Sequence, residues 1–382
     1  MVFASPDRHL VNNVYWNKTC IAFLPLILLV AFLPAAAQLA PAQPDPLARI
    51  RAAAQGNTQA CSATGETLCE QVTPKIIENA MGGSPLAENL RRLANEMDGS
   101  GSGNPAAARA VAWGVSAFRD AGVEVHTEKY ANRNGDPTEQ ENVVAEIRGR
   151  EKPDEWVLVG AHLDSWAHGP GVVDNNCDAA MVIEAARDIL RTGIRPRRSI
   201  RFVLFTGDEE GMPGSWAYAR SHRAEFDRAR AAIVFHSRCG RVTGYLLNGR
   251  HDIEPGLREA MKPIESLGAG HYVFGTPLGT DNFDFLVEGV PTITAIQVPT
   301  SAVFESPAAV GTPDKIDIAD LKHNTAIVAV TAFGIDERAA PIGPRQSRAE
   351  IESLLKTSGL EQSMKATRLW PLWKSGERGR LP

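Results

Sequence analysis

A surplus of positive charge is missing from this chain. In 382 residues, 40 Lys and Arg face 45 Asp and Glu, for a formal net charge of −5. That balance argues against nucleic acid as the main partner. Internal repeats are also missing, which sets aside solenoid and propeller arrays. Long apolar runs are confined to the N-terminus. After residue 37 no segment is apolar enough to span a bilayer, so the remainder is expected to make no integral membrane contact. The hydrophobic fraction of 43% and charged fraction of 22% are those of an ordinary globular protein.

The one long apolar run begins at Cys20, follows Lys18, and ends in Ala35, Ala36 and Ala37. A basic flank, an apolar stretch and a small-residue exit form the pattern of an export signal. Residues 1–37 are therefore expected to be a signal peptide, cleaved before Gln38, and the protein to be secreted or periplasmic. An uncleaved segment acting as a membrane anchor is the alternative. Cleavage would remove Cys20 and leave Cys61, Cys69, Cys177 and Cys239, an even count that suits an oxidising compartment. Cys61 and Cys69 could close a small loop. Cys177 and Cys239 follow Asp174 and His236 by the same interval, so they pair if those segments meet. Four free thiols are the other outcome.

Residues 38–75 are rich in Ala, Pro and Gln and read as a loosely ordered lead-in. Helical periodicity follows over 86–97 and 106–121, separated by the Gly- and Ser-rich break at 99–105. From there strands and helices alternate. Strands are predicted at 123–129, 143–147, 157–163, 200–206, 231–235, 243–247 and 292–296. Helices are predicted at 179–190, 215–222, 255–267, 283–287 and 321–333. This alternation predicts an α/β fold: a single domain over 76–340 with a central, mostly parallel mixed sheet flanked by helices on both faces. The stretch 341–382 is a charged amphipathic tail, expected either to pack as an extra helix or to stay mobile. The Arg195, Arg197, Arg198 and Arg201 cluster reads as the solvated entry to a buried strand rather than a binding patch.

The chemistry-bearing residues sit at strand ends. His162 and Asp164 close the apolar run that begins at Trp156, and Asp174 and Asn175 follow. Glu209 and Glu210 close a second run that begins at Arg201. In α/β sheets ligands bind at the strands' carboxyl ends. His and carboxylate ligands with a spare acid beside them are the set that zinc chemistry uses.

Together, Gly160–Trp166, Val173–Asn175 and Gly207–Gly211 resemble the secreted zinc exopeptidases, a family that includes aminopeptidase Y, bacterial leucyl aminopeptidase and carboxypeptidase Q. His-Leu-Asp-Ser-Trp at 162–166 and the arginines after Ile194 resemble the carboxypeptidase Q branch most. The resemblance implies a two-zinc centre acting on peptides. Residue by residue, it makes His162 a first-site ligand, Asp164 the acid that orients it, Asp174 the bridging carboxylate, Glu209 the general base and Glu210 a second-site ligand. It also implies a cis peptide between Asp174 and Asn175. The elements are too short to hold the protease-associated insertion that some members carry.

Two positions depart from the family pattern. His236 stands where the family has Asp, exchanging one competent ligand for another. Asn282 stands where it has His, and an amide is a weak, neutral zinc ligand. The expectation is one tightly held zinc on His162, Asp174 and His236, with a weak or empty second site at Glu210 and Asn282. Three functional readings follow: a metallo-exopeptidase, mono-zinc or impaired, a non-catalytic binding or scaffolding protein on the same fold, and a glutaminyl cyclase-type transferase. Whether peptides are cleaved as by an aminopeptidase or a dipeptidase, and the oligomeric state, are not legible in the residues.

Overall fold

The computed structural model describes residues 66–96, 105–131, 139–165, 176–236, 239–298 and 316–382. Residues 1–37, expected to be a signal peptide, Cys61, Asp174 and the Asp174–Asn175 bond lie outside them. Among the described residues, no helix is long and apolar enough to cross a membrane.

The helices are α1 (Glu66–Met81), α2 (Leu86–Glu96), α3 (Pro105–Asp120), α4 (Asn176–Arg191), α5 (Pro213–Ser221), α6 (Glu254–Met261), α7 (Asn282–Val287) and α8 (Ile318–Glu337). The strands are β1 (Glu124–Ala131), β2 (Glu139–Ile147), β3 (Lys152–His162), β4 (Arg198–Phe205), β5 (Ala229–Phe235), β6 (Arg241–Leu246), β7 (His271–Val273) and β8 (Thr292–Val298). They form one sheet in the order β1-β2-β4-β3-β5-β8-β6-β7. β4, β3, β5 and β8 run parallel, while β1, β2 and β6 join antiparallel. The sheet is mixed around a parallel centre, as the alternating pattern predicts.

Side-chain alternation along the central strands explains the layers. Val157, Val159, Ala161, Phe202 and Leu204 belong to one core, with the buried faces of α1–α4, α6 and α8. Their sequence neighbours Leu158, Val203, Phe205 and Val234 belong to a second core, with Tyr218 and Ala219 of α5 and Phe285 of α7. A parallel sheet that is apolar on both faces needs cover on both. α8 is buried nearly all round because it packs against β3, α1 and α4 together.

Two local outcomes, at α1 and at Arg198, differ from the sequence expectations, and the tail takes the packed of its two expected forms. α1 begins inside the stretch read as a loose lead-in. It carries an internal Pro74, and Val72, Ile76 and Ile77 are buried against the fold. The tail forms α9 (Arg348–Thr357), α10 (Leu360–Ala366) and α11 (Leu369–Ser375), and Ile351, Leu355 and Trp373 pack on Phe283 and Val287 of α7. Arg198 is fully buried instead of solvated. Its guanidinium meets Glu155 at 2.6 Å, and its backbone N–H donates to Asp336 at 2.9 Å.

Cys177, at the start of α4, is bonded to Cys239, just after β5, with Cα atoms 5.4 Å apart. Of the two outcomes the sequence left open for this pair, the structure holds the bonded one. The bond joins residues 62 apart and clamps two segments that border the carboxyl edge of β3 and β5. Closing such a loop in the unfolded chain is worth up to about 4 kcal/mol. Replacing both cysteines by Ser should lower the unfolding free energy by about 2–4 kcal/mol in urea titrations. An unchanged transition would show that the bond adds no stability.

At the β1 edge, the His222 ring lies 3.0 Å from Glu128 and 3.0 Å from Glu225, and packs at a tilt of 32° on Tyr218. Burial pulls the imidazole pKa down, but the two carboxylates outweigh it and raise it above the ordinary 6.5. Burial pushes Glu128 and Glu225 up, and their partners bring both below the ordinary 4.5. The histidine contribution is complete below 6.5 and is lost as pH rises through its raised pKa. The carboxylate contributions are complete above 4.5 and are lost as pH falls through their lowered ones. The cluster therefore stabilises most between those two values. His222→Gln should lower the melting temperature more at about pH 5.5 than at about pH 9, and equal shifts at both would remove the ion-pair account.

Candidate metal centre

The register of the parallel strands brings the site together. His162 ends β3 opposite Phe205, the end of β4, and Ala161 pairs with Phe235, the end of β5. The chain leaving each of these strands delivers a polar side chain to the same edge. From β4 the chain crosses over β3 to reach β5, so the order of connection reverses at this point in the sheet. Such a switch point opens a crevice at the carboxyl ends.

Four side chains and one turn make up the centre. His162 is fully buried, and its ring stacks on His236 with centroids 4.8 Å apart and planes 14° apart. Asp208 reaches both rings, at 4.0 Å from His162 Nδ1 and 3.8 Å from His236 Nδ1. Ligand atoms of His162, Asp208 and His236 all lie within 4.8 Å of one another. Asp164 stands 3.6 Å from His162 Nδ1, close enough to attract it and too long for a hydrogen bond. Neither ring nitrogen of His162 makes a hydrogen bond among the described residues.

The acids are presented by a 3-10 turn, Asp208–Glu210. Its backbone N–H groups at Asp208 and Glu209 both donate to the Asp164 carboxylate, each at 3.1 Å. Gly207 enters the turn at φ 80°. A Cβ there would lie 2.7 Å from Pro213 Cγ, so both conformation and space call for glycine. Below the turn, Asn142 donates to Gly214 and accepts from the Thr206 N–H, and Tyr130 donates to the Thr206 carbonyl at 2.8 Å.

Charge is concentrated here. Burial pulls the His162 pKa down, but Asp208 and then Asp164 overcome it, and the ring is pushed up to about 10. Burial pushes Asp164 up, and His162 with the two turn N–H groups brings it below the usual carboxylate range. Asp281, immediately before α7, is held well above that range by burial first and by repulsion from Asp208 second.

The sequence-predicted residues fall as follows. His162, Asp164 and His236 come together at this edge. Glu209 and Glu210 lie on the turn and are half-buried. Asn282 begins α7 and is fully buried, donating to Asn248 at 3.2 Å and accepting from the Thr280 hydroxyl. Asp174 lies outside the described residues. The residue that sequence reasoning missed is Asp208. It is the first acid after the β4 run and was passed over for the Glu pair that follows. The tight Gly207 turn was the available signal, because it decides which acid turns inward.

Two stacked histidines and a buried aspartate at the switch point of an open α/β sheet form a donor set of the kind that holds a metal ion. Residues 142–332 match Peptidase family M28, and the chain belongs to that family. It is 33% identical to carboxypeptidase Q of Mus musculus over 169 residues, covering 44% of this chain and 36% of that protein. The chain thus matches about a third of that relative's length. Among solved structures, a peptidase M28 precursor from Shewanella amazonensis superposes with a TM-score of 0.65 at 18% identity, covering 74% of this chain and all of that one. The zinc aminopeptidase BSAP from Bacillus subtilis superposes with a TM-score of 0.57 at 12% identity, covering 69% of this chain and 97% of that one. At such identities the structural likeness shows the fold alone.

The turn that carries Asp208 depends on a backbone only glycine adopts easily. Gly207→Ala should therefore lower the unfolding free energy by at least about 1–2 kcal/mol, as read by urea denaturation. A neutral effect would show that the turn tolerates a side chain and is not held as described.

Proposed function

We propose that this chain is a zinc-dependent exopeptidase that hydrolyses peptide bonds near chain termini, with 76–340 as its catalytic unit. The observation that carries the reading is the His162, Asp208 and His236 group at the sheet's switch point. Two imidazole nitrogens and one carboxylate suit zinc, which on binding would displace the proton that Asp208 and Asp164 favour on His162, and the ring nitrogens of His162 have no competing hydrogen bonds among the described residues. Asp164 would orient His162 and hold the acid turn. Asp174 is the further carboxylate that the family resemblance would add. Zinc held there would supply Lewis-acid polarisation and a water of lowered pKa.

Within that setting Glu209 is the proton carrier. Its backbone is fixed on Asp164 and its side chain is half-buried beside Asp208. The carboxylate would take a proton from the attacking water and return it to the amine that leaves. Glu210, on the same turn, would face the amino end of a peptide or a second cation. No described residue favours the non-catalytic or the glutaminyl cyclase reading over this one. The apolar N-terminal run and the Cys177–Cys239 bond support export to an oxidising compartment.

Purified protein should release chromophore from aminoacyl or dipeptide substrates, lose that activity to a chelator and regain it with zinc. Glu209→Gln should lower kcat by about 100-fold or more while zinc stays bound. Full activity after exhaustive metal removal, or an active Glu209→Gln, would be incompatible with this mechanism.

A further inference from the structure

The sheet topology puts a second feature on the edge that carries the metal centre. β1 pairs antiparallel with β2, and β2 pairs antiparallel with β4, so β1 and β4 run the same way and end on the same side. Two strand spacings separate them, roughly 10 Å. At that end Lys129, Tyr130 and Ala131 of β1 face α5 across an open cleft of about 280 Å³. Pockets for whole small-molecule ligands run to roughly 300–1,000 Å³, so this one suits the end of a peptide. Pro213, Trp216 and Arg220 recur at three- and four-residue intervals and so line it from one face of α5.

The cleft abuts the acid turn. Tyr130 and Pro213 belong to its wall, and a Cβ on Gly207 would lie 2.7 Å from Pro213 Cγ and 3.4 Å from the Tyr130 hydroxyl. That hydroxyl donates to the Thr206 carbonyl at 2.8 Å, just before the turn. Trp216 is fixed by the tail: its indole N–H donates to the Glu377 carbonyl at 3.2 Å, and the Arg378 guanidinium lies 4.9 Å from its ring centre.

Among the described residues no acid lines the cleft, while two cations do. The Arg220 guanidinium makes no ion pair or hydrogen bond among the described residues. Lys129 meets Glu139 at 3.0 Å and Glu141 at 3.6 Å, but these pairs lie at the surface, where water weakens them. Neighbouring parts of one sheet edge thus differ in sign. The turn offers Asp208, Glu209 and Glu210, and the cleft offers Arg220 and Lys129. A short peptide carries the matching pattern, an ammonium at one end and a carboxylate at the other. Three extended residues span about 10 Å.

We propose that this cleft is the subsite for the carboxylate end of short peptide substrates, with Arg220 as its anchor and Lys129 as the second cation. The inference rests on the exopeptidase reading of the metal centre, with the amino end of the peptide facing the acid turn. Arg220 donates two parallel N–H groups to the carboxylate, and Tyr130 and Trp216 wall the last side chain. An amidated peptide loses this anchor.

The test uses the full chain and one tripeptide, alanyl-alanyl-phenylalanine, as the free acid and as its amide. Affinity is read by calorimetry on zinc-loaded Glu209→Gln protein, which holds peptide without turning it over, and KM is read on the zinc-loaded wild type. The free acid should bind at least about 10-fold more tightly than the amide, and KM should follow the same order. Adding Arg220→Gln should bring the two forms to one affinity with the melting temperature unchanged. Equal binding of both forms before that change, or a difference that survives it, overturns the subsite. A difference in binding with no counterpart in KM places a separate peptide in the cleft and also overturns it. If neither form is hydrolysed, the exopeptidase reading falls and the substrate role falls with it, while the binding result still decides whether the cleft holds a carboxylate.

Discussion

The Asp164 carboxylate is the contact on which the rest of the centre depends. It leaves the end of β3 and accepts the backbone N–H groups of Asp208 and Glu209 in the turn after β4. One side chain thereby fixes the loop that follows the neighbouring strand and sets the height at which Asp208 meets the two imidazoles. Backbone donors also keep Asp164 ionised in a fully buried place, because hydrogen bonds to the charged form offset desolvation. Without that bond, the two backbone N–H groups would lose the acceptor that fixes the turn.

Around this contact the molecule is arranged in shells. The parallel strands supply position, because their register aligns three carboxyl ends. The Cys177–Cys239 bond ties the chain beyond β5 to the start of α4. The tail then closes over α7. Arg378 donates to Asp284 and to the Gly211 carbonyl at 3.3 Å, so one guanidinium links α7 with the end of the acid turn. A segment that looked peripheral in the sequence thus braces the side of the site where Asp281 and Asn282 stand. Catalysis of the proposed kind needs donors held to within a fraction of an ångström. Packing from distant parts of the chain is how such precision is reached.

The electrostatics follow from the same packing. Asp164 and Asp208 are buried, and the imidazoles of His162 and His236 face them at 3.6–4.0 Å. Such a site attracts cations and resists anionic ligands. Elsewhere buried acids meet arginines: Glu337 with Arg150, Glu288 with Arg223 and Arg345. The difference separates charge used for holding the fold from charge kept for chemistry.

Much of this was legible in the residues. The apolar runs before His162, Asp208 and His236 made buried parallel strands the economical reading, because only a sheet covered on both faces accepts such runs. His162 and His236 stood out as ligand types at strand ends, and the shared spacing of Cys177 and Cys239 allowed their bond. Less was legible where local pattern misled. The Ala-, Pro- and Gln-rich composition of 38–75 hid the start of α1, whose stability comes from packing, and the tail's periodicity did not say what it would cover. The sequence pointed to Glu209 and Glu210 after β4 and left Asp208 unnoticed. Whether Asp208, Glu209 or Glu210 turns inward is decided by the Gly207 turn and by Asp164, which sits 43 to 46 positions away and is brought near only by strand pairing. The sequence by itself determined the fold class, the sheet edge and the kinds of ligand, since these follow from periodicity and residue chemistry. Only the tertiary structure decided which oxygens face which nitrogens, because that depends on contacts between segments far apart in the chain.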